Sequence, residues 1–163
     1  MRPLDFKDGV LKLLDQTRIP LERVFMECRT YQDVAAAISD MIVRGAPAIG
    51  VAAAYGAAIG IQCIETENKE DFFSSLDSIC TVLRDTRPTA VNLSWAIDRI
   101  YNTALSRRDD SIEEIRKAVL EEAVKMDKED VETNRAIGMH GSLLIENGWI
   151  ILTHCNAGSL ATC

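Results

Sequence analysis

The spacing of apolar residues changes its period along the chain, and each change marks an element. In Leu4–Gln16 (LDFKDGVLKLLDQ) apolar positions flank Asp8-Gly9 on both arms. Asp-Gly readily takes the positive φ angles of a tight turn, so this stretch predicts a β hairpin. From Thr30 the period becomes helical: Thr30 and Asp33 are spaced as a capping box, and Val34, Ile38, Met41 and Ile42 share one face, which predicts a helix to about Met41. Pro47 suits a first helical turn, so a second helix is expected from near Pro47 to near Ile64. Further 3.6-residue periodicity covers Lys69 to Leu83, Ala90 to Leu105 and Ile112 to Ile145, the last with one expected break near Met126 to Asp130. Asn147-Gly148 closes the array, and the apolar run that follows predicts a buried strand over Trp149 to Thr153.

These elements give an α+β fold: an N-terminal β hairpin, a helical bundle of five or six helices, and then one strand. Open α/β sheets present ligands at the carboxyl ends of buried strands, so the strand reads as the first of a truncated Rossmann-like α/β domain. The expected units are residues 1–146, the hairpin and helical domain, and 147–163, the start of a Rossmann-like catalytic domain whose remainder is absent.

Composition narrows the partners. With 18 Lys+Arg against 25 Asp+Glu the formal net charge is −7, so no basic field exists to gather nucleic acid or an anionic membrane surface. An anionic small molecule would need a local basic site. The five cysteines (Cys28, Cys63, Cys80, Cys155, Cys163) contain no C-x-x-C pair and are odd in number, which argues against a disulfide framework and a zinc site and favours a reducing cytoplasm. Asp5, Lys7, Asp8 and Lys12 interrupt the apolar region that a signal peptide would need. Ala46 to Ile64 is the most apolar stretch, but Ala and Gly lack the bulk of a lipid-facing helix; Gly56-x-x-x-Gly60 reads instead as a close-packing device in a protein core.

Three segments carry candidate chemistry. In "MIVRGAPAIG" (Met41 to Gly50), Arg44 precedes Gly45, Ala46 and Pro47 at a helix start, where backbone N–H groups, the helix dipole and a guanidinium could hold a phosphate. An ordinary tight loop with an arginine capping a neighbouring helix fits the same spacing. In "DTRPTAVNLSWAIDR" (Asp85 to Arg99), Arg87 repeats the arrangement before Pro88 and Thr89, with a solvated Arg87–Asp85 pair as the alternative. Two arginines at two helix starts suit a phosphosugar. In "WIILTHCNAGSLATC" (Trp149 to Cys163), Cys155 after a strand could serve as nucleophile or proton carrier, or be a buried unreactive thiol. His154 and Cys155 would point to opposite faces of a strand, which argues against a simple dyad.

Taken in order, "RGAPAIGVAAAYG", "RPTAVNLSWA", "NRAIGMHG" and "ILTHCNAGSLAT", with "LLDQTRIP" before them, resemble the 5-methylthioribose-1-phosphate isomerases of methionine salvage over nearly the whole chain. The wider group includes ribose-1,5-bisphosphate isomerases and regulatory subunits of a translation-factor exchange complex, and shares a helical N-terminal and a Rossmann-like C-terminal domain. The resemblance implies that Arg44, Gly45 and Ala46 contact substrate, that Arg87 helps hold its phosphate, and that Cys155 is the catalytic cysteine. The family's second catalytic group, an aspartate, would come from the C-terminal domain and has no counterpart in this chain. A phosphorylated pentose substrate, a homodimer, and no metal or organic cofactor are the expectations, and the short chain is expected to be inactive alone. A ribose-1,5-bisphosphate isomerase and a non-catalytic exchange-factor-like subunit are the alternatives.

Overall fold

The computed structural model describes residues 2–163, so only the first residue of the expected 1–146 unit lies outside it. Strands β1 (Leu4–Lys7) and β2 (Val10–Leu14) form the hairpin, with Asp8 and Gly9 both at positive φ (53° and 77°). A third strand, β3 (Phe25–Cys28), pairs antiparallel with β2 and was not expected from the sequence. Its alternation is diluted: Phe25 and Glu27 are exposed and Met26 is half-buried, so only Cys28 marks an inward face. The register sets Leu4 opposite Leu13 and Leu11 opposite Cys28, all buried, while Lys12 lies opposite Asp5 and Glu27. The period of two therefore sends one face of the sheet to the core.

Five helices follow: α1 (Tyr31–Ser39), α2 (Ala46–Gln62), α3 (Lys69–Asp85), α4 (Val91–Ser106) and α5 (Ile112–Ser142). The Thr30–Asp33 capping box forms as its spacing predicts. Helix α2 is the axis of the domain: every residue from Ala48 to Ile61 is buried. That explains its composition, because a helix wrapped on all sides gains close approach from small residues. A Cβ built on Gly56 would lie 3.0 Å from Val34 Cγ1 and one on Gly60 3.0 Å from Ile79, which bears out the close-packing reading of that pair. Among the described residues no helix is long and apolar enough to cross a membrane.

The expected break near Met126 to Asp130 does not occur; α5 runs unbroken from Ile112 to Ser142. The apolar periodicity lapses there because a buried position is filled by a paired acid. Asp127 accepts from Arg2 Nη2 at 2.5 and 2.8 Å and from the Tyr55 hydroxyl at 3.1 Å. Tyr55 in turn stacks on Phe6, with ring centroids 4.5 Å apart. Farther along, Ile137, Met139, Leu143 and Leu144 are exposed, so the last turns of α5 stand clear of the bundle.

The strand expected over Trp149 to Thr153 is absent. These residues form no ladder and are exposed, Ile150 completely and Leu152 to 95%. A strand is defined by a hydrogen-bonded neighbour, and the three described strands form their sheet from residues 4–28. The remainder of the α+β architecture stands as expected.

Candidate active site

Three of the five helices begin with a polar side-chain cap: Thr30 for α1, Asn68 for α3 and Ser111 for α5. Each also has acidic residues in its first turn, Asp33, then Glu70 and Asp71, then Glu113 and Glu114. Acids there offset the positive end of the helix dipole and compete with any incoming anion. Helices α2 and α4 differ. Neither has a side-chain cap, and neither has an acid in its first turn. They are the two helices that follow Arg44 and Arg87.

Packing places these two bare termini side by side. A Cβ on Gly50, in the second turn of α2, would lie 2.9 Å from the carbonyl oxygen of Asn92, in the first turn of α4, and 3.6 Å from Ala96 Cβ. The glycine thus permits two helix starts to meet backbone to backbone. At α4 the amides of Val91 and Asn92 have no acceptor among the described residues, since the first local bonds are Leu93 and Ser94 to the Ala90 carbonyl. At α2 the amides of Gly45 and Ala46 are free in the same sense, while Ile49 donates to Gly45. The cradle is narrower than the sequence suggests, because Pro47 has no N–H and Ala48 donates to the carbonyl of Ala161 at 3.1 Å.

Neither Arg44 nor Arg87 forms an ion pair or a side-chain hydrogen bond among the described residues. The solvated Arg87–Asp85 pair and the helix-capping Arg44 are both unrealised. Arg44 is exposed and Arg87 half-buried, and in sequence they precede the two helix starts with their four unpartnered amides, a combination suited to a phosphate or a comparable anion.

Residues 158–163 close one side of this region. Gly45 has φ 97°, and a Cβ there would come within 2.3 Å of Ala161 Cα and 2.5 Å of Ala161 oxygen, so both the backbone and the neighbour demand glycine. The segment is held at three further points. Gln16 Nε2 donates to the Leu160 carbonyl at 2.7 Å, Ala48 donates to Ala161, and the Cys163 amide donates to Asp130 Oδ2 at 2.7 Å. The same Gln16 nitrogen reaches the Arg44 carbonyl at 3.4 Å, and the Gln16 amide donates to Ile42 at 3.0 Å.

Cys155 itself lies in a bend at φ 64°, exposed beside exposed His154. It is not carried on a strand, so the expected opposite-face arrangement with His154 does not apply. It lies five positions before the docked Leu160, a reach of about 18 Å when fully extended. The structure therefore unites Gly45 and Ala46 with the anchored end of the cysteine segment and sets α4's start alongside, but leaves the thiol in solvent. Cys63 is likewise exposed, whereas Cys28, Cys80 and Cys163 are buried, and burial pushes the Cys28 thiol up to about 11 and the Cys80 thiol up to about 12.

Sequence reasoning assigned no role to Gln16, Asp130 or the Asp127 cluster. Gln16 lies within "LLDQTRIP", a motif that matched the resemblance without a stated task. Its partners are 28 and 144 residues away, so nothing local signals them.

With this geometry, residues 42–163 match the family described as the initiation factor 2 subunit family, and the chain belongs to that family. Within it, the chain is 58% identical over its full length to a methylthioribose-1-phosphate isomerase of Acetivibrio thermocellus, covering 48% of that protein, and 50% identical over 99% of its length to the one of Geotalea uraniireducens, covering 46%. The crystal structure of 5-methylthioribose 1-phosphate isomerase from Pyrococcus horikoshii superposes with a TM-score of 0.92 at 40% identity, over 99% of this chain and 45% of that one. The translation initiation factor eIF-2B subunit delta from A. fulgidus superposes at 0.86 with 43% identity, over 99% of this chain and 47% of that one. The chain thus spans about half the length of the relatives it matches.

Proposed function

We propose that this chain is the N-terminal part of a methylthioribose-1-phosphate isomerase, and that its two bare helix starts hold the substrate's phosphate. The observation that carries the reading is the juxtaposition of the α2 and α4 amino termini, each without cap or acid and each preceded by an unpaired arginine. The names of relatives up to 58% identical supply the substrate. On this reading Arg44, Gly45, Ala46 and Arg87 bind, and Cys155 is the catalytic cysteine.

The chemistry sets what else is required. A sugar phosphorylated at C1 cannot open its ring as a free aldose does, so conversion to the ketose needs a proton delivered to the ring oxygen and transfer of hydrogen from C2 to C1. Cys155 takes part in that transfer or stabilises its transition state. The acid that opens the ring belongs to a second, Rossmann-like domain that begins near residue 147. Exposed Trp149, Ile150, Ile151 and Leu152 belong to the start of that domain and are covered by its remainder, and exposed Met139 of α5 with Leu143 just beyond the helix offer apolar surface against which it packs. The protein works as a cytoplasmic homodimer without metal or organic cofactor.

The test joins residues 1–163 to the C-terminal half of the Acetivibrio thermocellus relative and assays ketose formation from 5-methylthioribose 1-phosphate, with ribose 1,5-bisphosphate as competitor substrate. Turnover of the methylthio substrate, lost in Cys155→Ser, and KM raised about 10–100-fold in Arg44→Ala or Arg87→Ala fit the loss of charged hydrogen bonds of about 1.5–3 kcal/mol each. Normal turnover in Cys155→Ser refutes the assignment. A second reading is favoured by the 43% identity to the A. fulgidus translation factor subunit, namely a non-catalytic regulatory subunit. It predicts no turnover from a folded, joined protein of either substrate.

A further inference from the structure

The bond network around residue 16 goes beyond binding and catalysis as read above, although its kinetic arm rests on that reading. Gln16 sits half-buried just after β2, where its own amide is fixed by the Ile42 carbonyl at 3.0 Å. Its side-chain nitrogen has two N–H groups and two acceptors: Leu160 oxygen at 2.7 Å and Arg44 oxygen at 3.4 Å. One acceptor belongs to the loop that presents Arg44, Gly45 and Ala46. The other belongs to the segment that begins at Cys155.

We propose that Gln16 is a positioning residue that holds the Arg44 loop and the Cys155 segment in one register. The side chain is suited to this by its chemistry, because an amide nitrogen can donate to two carbonyls at once and a carboxylate of the same shape can donate to neither. The Gly45–Ala161 contact also joins the two segments, but by packing and without a hydrogen bond to the Arg44 carbonyl, and the two remaining bonds act elsewhere. The Ala48–Ala161 bond lies beyond Arg44 in the chain, and the Cys163–Asp130 bond fixes the segment to α5 rather than to the loop. Gln16 alone of these touches the carbonyl of the arginine that the site uses.

Two readouts separate positioning from packing. In the 163-residue chain, Gln16→Glu keeps the volume and removes the donors. Exchange of the Ala48 amide is expected to accelerate at least about tenfold, while Ile97 and Ile100 amides in the body of α4 keep their rates, since a single lost bond of about 1.4 kcal/mol is a factor of ten. In the joined enzyme described above, the same variant is expected to lower kcat by about 10²-fold with KM changed by no more than a few-fold, as displacement of a reacting group by about 1 Å produces. Unchanged Ala48 exchange in Gln16→Glu overturns the proposal, as does accelerated exchange with undiminished kcat. If the parent joined enzyme is inactive, the isomerase reading fails, and the exchange result still decides whether Gln16 registers the two segments.

Discussion

Replacing Gly45 by alanine tests the contact on which the candidate site depends. Two costs arise at one atom. An L-residue at φ 97° pays about 1–2 kcal/mol for the left-handed side of backbone space. The added Cβ would also sit 2.3 Å from Ala161 Cα and 2.5 Å from its oxygen, and backbone atoms cannot swing aside as a side-chain end can. The segment must therefore leave. Leaving forfeits the Ala48–Ala161 and Gln16–Leu160 bonds, about 1 kcal/mol each, and the bond from Cys163 to the Asp130 carboxylate, about 1.5–3 kcal/mol. The chain entropy that the freed segment regains offsets part of that loss. The net expectation is a destabilisation of about 2–3 kcal/mol, with residues 159–163 undocked.

Gly9→Ala provides the control, because Gly9 also has positive φ (77°) but nothing within 4 Å of its Cβ position. It should cost the backbone term alone. Urea unfolding followed by circular dichroism gives the two stabilities, and amide exchange at Ala48 and Cys163 reports the docked segment. Equal destabilisation by the two variants, with Ala48 as protected in Gly45→Ala as in the parent, would refute the steric argument.

Alkylation at pH 8 should label Cys63 and Cys155 in the native chain and all five cysteines in urea, because Cys28, Cys80 and Cys163 are buried and their thiols pushed up; mass spectrometry of the peptides decides, and rapid native labelling of Cys80 would contradict the packing. Asp127→Ala should cost about 2–3 kcal/mol in urea unfolding, less than a fully buried pair because Arg2 is half-exposed, and Tyr55→Phe added to it should cost little more, since the hydroxyl has then already lost its acceptor. The Asp33 carboxyl is held below the usual value by the Arg29 amide and by Thr30, so the folded state binds fewer protons; that stability is complete above about pH 4 and is lost as the pH falls through the lowered value, which an acid titration of Asp33→Asn against the parent will show as a flatter profile.

What the sequence determined by itself was local. The Asp8-Gly9 hairpin, the Thr30–Asp33 box and the four later helices follow from turn chemistry, capping and the 3.6-residue period, all of which act within a few residues. Arg44, Gly45, Ala46, Arg87 and Cys155 were legible as candidates because helix starts and a thiol in a polar loop have local signatures. Tertiary structure decided the rest. It kept α5 continuous by filling a core position with Asp127, whose partners Arg2 and Tyr55 are 125 and 72 residues distant. It added β3, whose pairing with β2 no short pattern encodes. It left Trp149 to Thr153 without a ladder, because an apolar run becomes a strand only where another strand accepts its bonds. The same physics made the candidate site: two uncapped helix starts lie together because Gly50 lets α2 and α4 touch, and Gln16 bonds to Arg44 and Leu160, 28 and 144 residues away, which no local preference could bring to it.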